Sequence, residues 1–326
     1  MEEGRLMRNL PGRMALLCVL ALLAAFGCNR GAQDTRETGA RVALVLKTLN
    51  SPFFNDMQRG ATTAAGRLGM TLLVQAAERE IDVEKQMQII ENLIQTGVRV
   101  LCITPSGSRE IVPAIVKANK AGIPVIIVDT RVDARAAAEA GIRTDSFIGS
   151  DNYSGGLLMG QHLVTISGGR ARVAILEGIP GHETGDSRLR GFRDALKNAP
   201  QIAIIASQPA NWERDQGFNV FQNMLQAHPD IDTVFACNDV MALGAMEAIA
   251  ASGRSGRVRV LGFDAIEDAR RAIEAGTMAA SVAQFPEEMG RVAIETAVRI
   301  IRGERVPAEQ GIRIELVTSS SIHTSR

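Results

Sequence analysis

From Arg41 onward the chain alternates short apolar runs with longer stretches in which apolar residues return every three or four positions. The runs include Val42–Leu46, Leu72–Val74, Val98–Ile103, Val125–Val128, Val173–Leu176, Ile202–Ile205, Val234–Ala236 and Val258–Leu261. They are rich in β-branched residues and continuously apolar, as a parallel strand covered on both faces must be. Between them, Val83, Met87, Ile90 and Ile94 recur at helical spacing, and so do Met289, Ala293, Thr296 and Ile300. Each set predicts one apolar helix face. Gly69, Gly97, Gly122 and Gly276 stand between a helical stretch and the next run, where helices end in a left-handed residue. This rhythm with short connections predicts an α/β fold of doubly wound parallel sheets. The strands are too many for one ordinary sheet, and 326 residues are long for a single core, so two lobes are expected.

The N-terminus departs from that rhythm. Arg5, Arg8 and Arg13 precede an apolar run, Met14 to Gly27, which is too short for an ordinary membrane span and suits a signal peptide. It ends in Ala25-Phe26-Gly27-Cys28, which resembles a bacterial lipoprotein cleavage site. Residues 1–28 are therefore expected to be a signal peptide cleaved before a lipidated Cys28, and the polar residues 29–40 a flexible tether. Of the four cysteines, only Cys102 and Cys237 remain in the body. Each ends an apolar run, in different lobes, so two buried free thiols are expected and no disulfide or metal site.

The formal net charge is zero, which argues against nucleic acid as a partner, since binding phosphates calls for a basic face. The four histidines do not cluster at metal-ligand spacing, and neither a Walker loop nor an opening GxGxxG occurs. His182, Glu183 and Asp186 share a Gly-rich loop and read better as a cleft rim or solvated loop than as a metal or acid–base cluster. The informative residues follow the strands: Ser51-Pro52-Phe53-Phe54, Thr104-Pro105-Ser106, Asp129-Thr130-Arg131, Asn238-Asp239 and Gly262-Phe263-Asp264. In open α/β sheets the C-terminal strand edges form the ligand crevice. Acids, amides, an arginine fork and aromatic rings facing one another there suit a sugar, whose hydroxyls donate and accept and whose ring faces are apolar.

At these residues the chain resembles the type I periplasmic binding proteins, in particular those that bind ribose. The likeness runs from about Val42 to about Val317. It rests on Thr48-Leu49-Asn50-Ser51-Pro52-Phe53-Phe54, Ser207-Gln208-Pro209-Ala210, Ala227-His228-Pro229-Asp230, Asn238-Asp239-Val240-Met241-Ala242-Leu243-Gly244-Ala245, Gly262-Phe263-Asp264 and Ala283-Gln284. The resemblance implies two lobes joined by three crossings, near Ser150-Asp151, Gln284-Phe285 and Gly311-Arg313. Residues 41–150 with 285–311 would form the N-terminal lobe, and 151–284 with 312–326 the C-terminal lobe. It also implies ligand contacts at Ser51, Phe53, Phe54, Asp129, Arg131, Arg188, Trp212, Asn238, Phe263, Asp264 and Gln284. The function implied is that of a monomeric, non-enzymatic solute-binding protein of the periplasm or cell envelope. It would touch the membrane only through its lipid, use no cofactor, and hand a sugar or polyol to an inner-membrane ABC permease. The alternative is a sensory relative that feeds a chemoreceptor or sensor kinase. A repressor sharing this body would carry a helix-turn-helix where the leader stands. Ser51 replaces an Asn of ribose binders, Thr130 separates Asp129 from Arg131, and Trp212 replaces a Phe. The segment Val132 to Ser146 is longer, and its Asp133 could reach the rim. The ligand expected is therefore ribose-like without being ribose by necessity.

Overall fold

A computed structural model describes residues 39–324, and the leader, Cys28 and the tether up to residue 38 lie outside the described residues. Two six-stranded sheets organise the chain. The first runs β11 (Glu309–Ile312), β5 (Ser146–Ser150), β4 (Val125–Val128), β3 (Val100–Ile103), β1 (Arg41–Thr48), β2 (Thr71–Ala77). The second runs β12 (Glu315–Val317), β10 (Ala280–Ala283), β9 (Arg259–Asp264), β8 (Thr233–Ala236), β6 (Arg170–Glu177), β7 (Gln201–Pro209). Neighbours are parallel except β10 and β12, which are antiparallel. Every residue of β3, β4, β8 and β10 is buried, as the continuous apolar runs require.

The chain leaves the first sheet after β5, returns to it after β10, and leaves it again between β11 and β12. Helices α1 (Pro52–Leu68) and α10 (Pro286–Ile301) pack with one face of the first sheet in a shared core. Helices α2 (Val83–Gln95) and α3 (Val112–Lys120) close a second core against that sheet. The short α4 (Ala134–Ala140) lies in the segment between β4 and β5. In the second lobe one core joins the strands to α5 (Asn152–Ile166), α6 (Glu183–Leu196), α7 (Arg214–Ala227), α8 (Asp239–Ala251) and α9 (Glu267–Glu274).

Each lobe holds a helix pair in backbone contact. A Cβ on Gly60 of α1 would lie 1.9 Å from the Glu287 carbonyl oxygen, and one on Gly290 would lie 2.0 Å from that of Met57. Between α5 and α6 the same reciprocity holds, with Gly156 at 2.0 Å from the Arg188 oxygen and Gly191 at 2.0 Å from that of Tyr153. The second pair thereby fixes the height of Arg188 above its sheet.

The face of α2 differs from the one its apolar periodicity predicts. Gln86, Ile89, Ile90 and Leu93 are buried, while Val83, Met87 and Ile94 are only partly so. Gln86 explains the turn. Its side-chain amide donates to the carbonyls of Leu46 and Thr104, at 3.2 and 2.9 Å, and accepts from the Ser106 N–H at 2.8 Å. A polar residue that ties two strand ends together outweighs one apolar position.

Candidate functional site

The C-terminal ends of the two sheets face each other, and twelve residues close around the gap between them: Lys47, Ser51, Phe53, Phe54, Glu80, Asp129, Thr184, Arg188, Trp212, Asn238, Asp264 and Gln284. The space left among them is narrow. So confined a space suits one small ligand and not a chain of rings. Nine of the eleven ligand contacts expected from the sequence line this space. Lys47, Glu80 and Thr184 line it too and were not among them.

From the first lobe, Lys47 extends β1 to the sheet edge and is 3% exposed. Its ammonium stands 3.5 Å from a Glu80 oxygen and 3.7 Å from an Asp129 oxygen, beyond usual hydrogen-bond length. It also lies 5.7 Å from the centre of the Phe54 ring. Burial pushes Glu80 up to about 7, which the Lys47 charge counters and the Asp129 charge reinforces. Asp129 Oδ2 accepts from Thr130 Oγ1 at 2.8 Å. Ser51 occupies the N-cap position of α1 without making a capping bond, which leaves its hydroxyl to the cavity. Phe53 and Phe54 meet edge to face at 5.2 Å and are both buried.

From the second lobe, Arg188 is held on three sides. Its Nε donates to Asn152 Oδ1 at 2.8 Å, its Nη1 donates to the Cys237 carbonyl at 2.6 Å, and its plane lies 3.9 Å over Phe263. Asp264 stands 3.6 Å from Arg188 Nη1 and accepts from Gln284 Nε2 at 2.7 Å. Burial holds the Asp264 carboxyl well above its ordinary range, with Arg188 pulling against it and Asp239 adding to it. Asn238 caps α8, accepting from the Met241 N–H at 2.8 Å, and its amide donates to the Trp212 carbonyl at 3.3 Å. Gln284 Oε1, Thr184 Oγ1 and Trp212 Nε1 are buried without a hydrogen-bond partner. A buried polar atom left unpaired costs about 1–3 kcal/mol, so a ligand that supplies partners relieves it.

Backbone strain concentrates here as well. Among the described residues six non-glycine positions have positive φ, and Asp129 (64°), Trp212 (68°) and Asp264 (111°) are three of them. Such conformations cost of order 1–3 kcal/mol each and collect at functional sites.

Two expected contacts lie elsewhere. Arg131 leaves the cavity, stacks 3.8 Å over Phe147 and donates to both carboxylate oxygens of Glu309, at 2.9 and 3.2 Å. Thr130 takes the place beside Asp129, and Lys47 supplies the cation from the next but one strand instead. Phe263 is fully buried beneath Arg188 and serves as its floor. Asp133, a candidate for the rim, caps α4 by accepting from the Ala136 N–H at 2.7 Å. No group of three or more metal-ligating side chains forms among the described residues, and Glu183 accepts from Ser187 Oγ at 2.6 Å. A wider groove between α1, α9 and α10 contains Arg67, Arg270 and Arg291, but their charges are already engaged by Glu295, the Ala265 carbonyl and Glu288.

The sequence from residue 42 to 305 matches the model of the periplasmic binding protein domain. The chain is 37% identical over 309 residues to the ribose import binding protein of Escherichia coli K12, covering 95% of this chain and 99% of that one. It is 34% identical to the D-allose-binding periplasmic protein of the same organism, over 86% of this chain and 91% of that one. A solved solute-binding protein of an ABC transporter from Actinobacillus succinogenes 130z, crystallised with D-allose, superposes with a TM-score of 0.82 at 38% identity. That match covers 87% of this chain and 99% of the other. With two facing parallel sheets, three crossings and a polar cavity between them, the chain belongs to the periplasmic binding protein family, in its type I architecture.

Proposed function

We propose that the protein is the solute-binding component of a sugar ABC transporter, and that it captures one neutral monosaccharide of the ribose or allose kind, or a polyol of similar size. The carrying observation is the cavity wall. Carboxylates, amides and two cations from both lobes converge on one narrow space, and aromatic rings stand on both sides. Adjacent hydroxyls suit Asp129 and Asp264, each able to accept twice, while Arg188 and Lys47 donate. Phe53, Phe54 and Trp212 offer faces to C–H patches. Relatives named for ribose and D-allose, and structural neighbours holding D-allose, D-arabinose and myo-inositol, support this class.

Contacts from both lobes mean that the ligand is bound fully only when the lobes are shut. Closure follows because the ligand binds the shut form more tightly. The shut form is then what an inner-membrane permease would receive, from a protein in the periplasm. The leader ending at Cys28 supports export and attachment by lipid. Binding without chemistry is the expected activity.

A thermal-shift screen against pentoses, hexoses and sugar alcohols tests the reading. A ligand at a hundredfold excess over its Kd adds about 2.7 kcal/mol of stability and raises the Tm. One clear responder, lost in Asp129→Ala or Asp264→Ala, is the expected result. A flat response to every neutral sugar sinks it.

A further inference from the structure

The loop that opens α6 in the second lobe rests on the loop that follows β3 in the first. The Glu183 N–H donates to Ser108 Oγ across this contact, at 3.2 Å. Beside it His182 is 4% exposed, and its Nδ1 is buried without a partner. The imidazole meets the backbone of Ser106 from the opposite lobe. The charge of Lys47 on β1 acts against a proton on this ring, and Glu80 and Asp129 are paired to that ammonium. On its own helix Glu183 is engaged with Ser187, and the Asp186 carboxylate interacts with Arg190.

No carboxylate is therefore placed to hold an imidazolium. A proton on His182 would sit buried and repelled by a second cation. Burial first, and the Lys47 charge second, lower this imidazole to about 3 in the shut form. This contact exists only while the two lobes meet, and parting them returns the ring to water.

We propose that His182 is a proton-sensitive closure residue: the lobes shut over the neutral imidazole alone, so acid parts them and releases the ligand. The inference rests on the proposed capture of sugar by closure. A solvated imidazole titrates near 6.5. This group therefore leaves closure untouched above about pH 6.5, and opposes it by roughly tenfold per pH unit below that, until the shut-form value is reached. Glu80 and Asp264 act in the opposite sense, because burial raises both and the shut form takes up protons there. The whole profile mixes these contributions, and the part due to His182 is the difference between the protein and a non-titrating variant.

The test is isothermal calorimetry of the purified protein and of His182→Asn, from pH 5 to pH 8, with the sugar that responds best in the thermal-shift panel. On lowering the pH from 7.5 to 5, the affinity of the unaltered protein should fall at least about tenfold relative to that of the variant. Profiles that stay parallel within about twofold would overturn the proposal. Proton NMR supplies a second reading that needs no variant to fold well, using His182→Asn only to assign the resonance. The His182 signal should titrate near pH 6.5 without sugar and stay flat above pH 5 with sugar bound. The same titration in both states would sink the inference while leaving sugar capture standing. A protein that binds no sugar at any pH removes the capture reading itself, and this inference with it.

Discussion

The two walls of the cavity carry similar residue types in different states of readiness. On the second lobe Arg188 is braced by Asn152, the Cys237 carbonyl and the Phe263 ring, and Asp264 is braced by Gln284. On the first lobe Lys47 reaches its two carboxylates only at ion-pair distance. A guanidinium is a flat fork that two bonds fix in one orientation, whereas an ammonium is a compact charge on a flexible stem. For the proposed sugar, the second wall is therefore set in orientation before the ligand arrives. The first wall adjusts to it.

The sharpest way to break this contrast is at Arg188. Replacing it by Leu removes the fork and strands Asp264 in a buried site. Ligand affinity should fall by at least about a hundredfold, with about 3 kcal/mol of stability lost, read by calorimetry and by thermal melting. A Tm unchanged within a degree would show that the wall is not preset.

Gly156→Ala attacks the same wall from behind. Its methyl group would meet the Arg188 carbonyl at 2.0 Å, forcing α5 from α6 at a cost of about 1–3 kcal/mol. Gly60→Ala strains α1 against α10 to a similar extent. Both variants should melt several degrees lower, but Gly156→Ala should also weaken binding several-fold, as titration of each against the same sugar would reveal. Equal binding losses in the two would erase the distinction between the walls.

Lys47→Met is expected to be milder. Lys47 stands only at ion-pair distance from Glu80 and Asp129, without the hydrogen bonds that brace Arg188. Stability at pH 7 should change by no more than about 1 kcal/mol, while affinity drops about tenfold as one donor is lost. Chemical denaturation and calorimetry would separate the two effects. A collapse in stability would make Lys47 a brace like Arg188. The smallest effect is expected at Arg79, whose Nε lies 3.4 Å from Glu213 across the mouth in an exposed pair. Arg79→Gln should weaken binding less than about threefold, and the difference should vanish in concentrated salt.

The two-lobed plan was legible because buried parallel strands leave continuous apolar runs, and because glycines such as Gly69, Gly97, Gly122 and Gly276 follow several of the helices. The short strands β5, β10, β11 and β12 were not among the runs. Ser, Gly and Ala in β5 and β10, and Glu, Gln and Arg beside β11 and β12, give no hydrophobic signal where pairing alone defines the strand. The site was legible where a polar residue comes directly after an apolar run, as at Asp129, Asn238 and Asp264. Lys47 escaped because it directly continues the run of β1, and Glu80 because it lies in a charged loop that resembles a solvated one. Weighing the polar residues at the C-terminal end of every strand, β2 included, would have found both. Arg131 misled because position after a strand places the backbone and not the side chain: one inserted residue, Thr130, turned it toward Glu309.

The chain contains a single tryptophan, and it stands in the cavity wall, 6% exposed and 5.7 Å from the Arg188 guanidinium. All indole emission from this protein therefore originates at one address, the wall of the cavity between the lobes. Filling the cavity changes the water, the charge and the hydrogen bonding around that ring and around no other. The protein accordingly carries its own optical gauge of occupancy, and the rates of capture and release can be followed in the unlabelled molecule, in rapid mixing, by light alone.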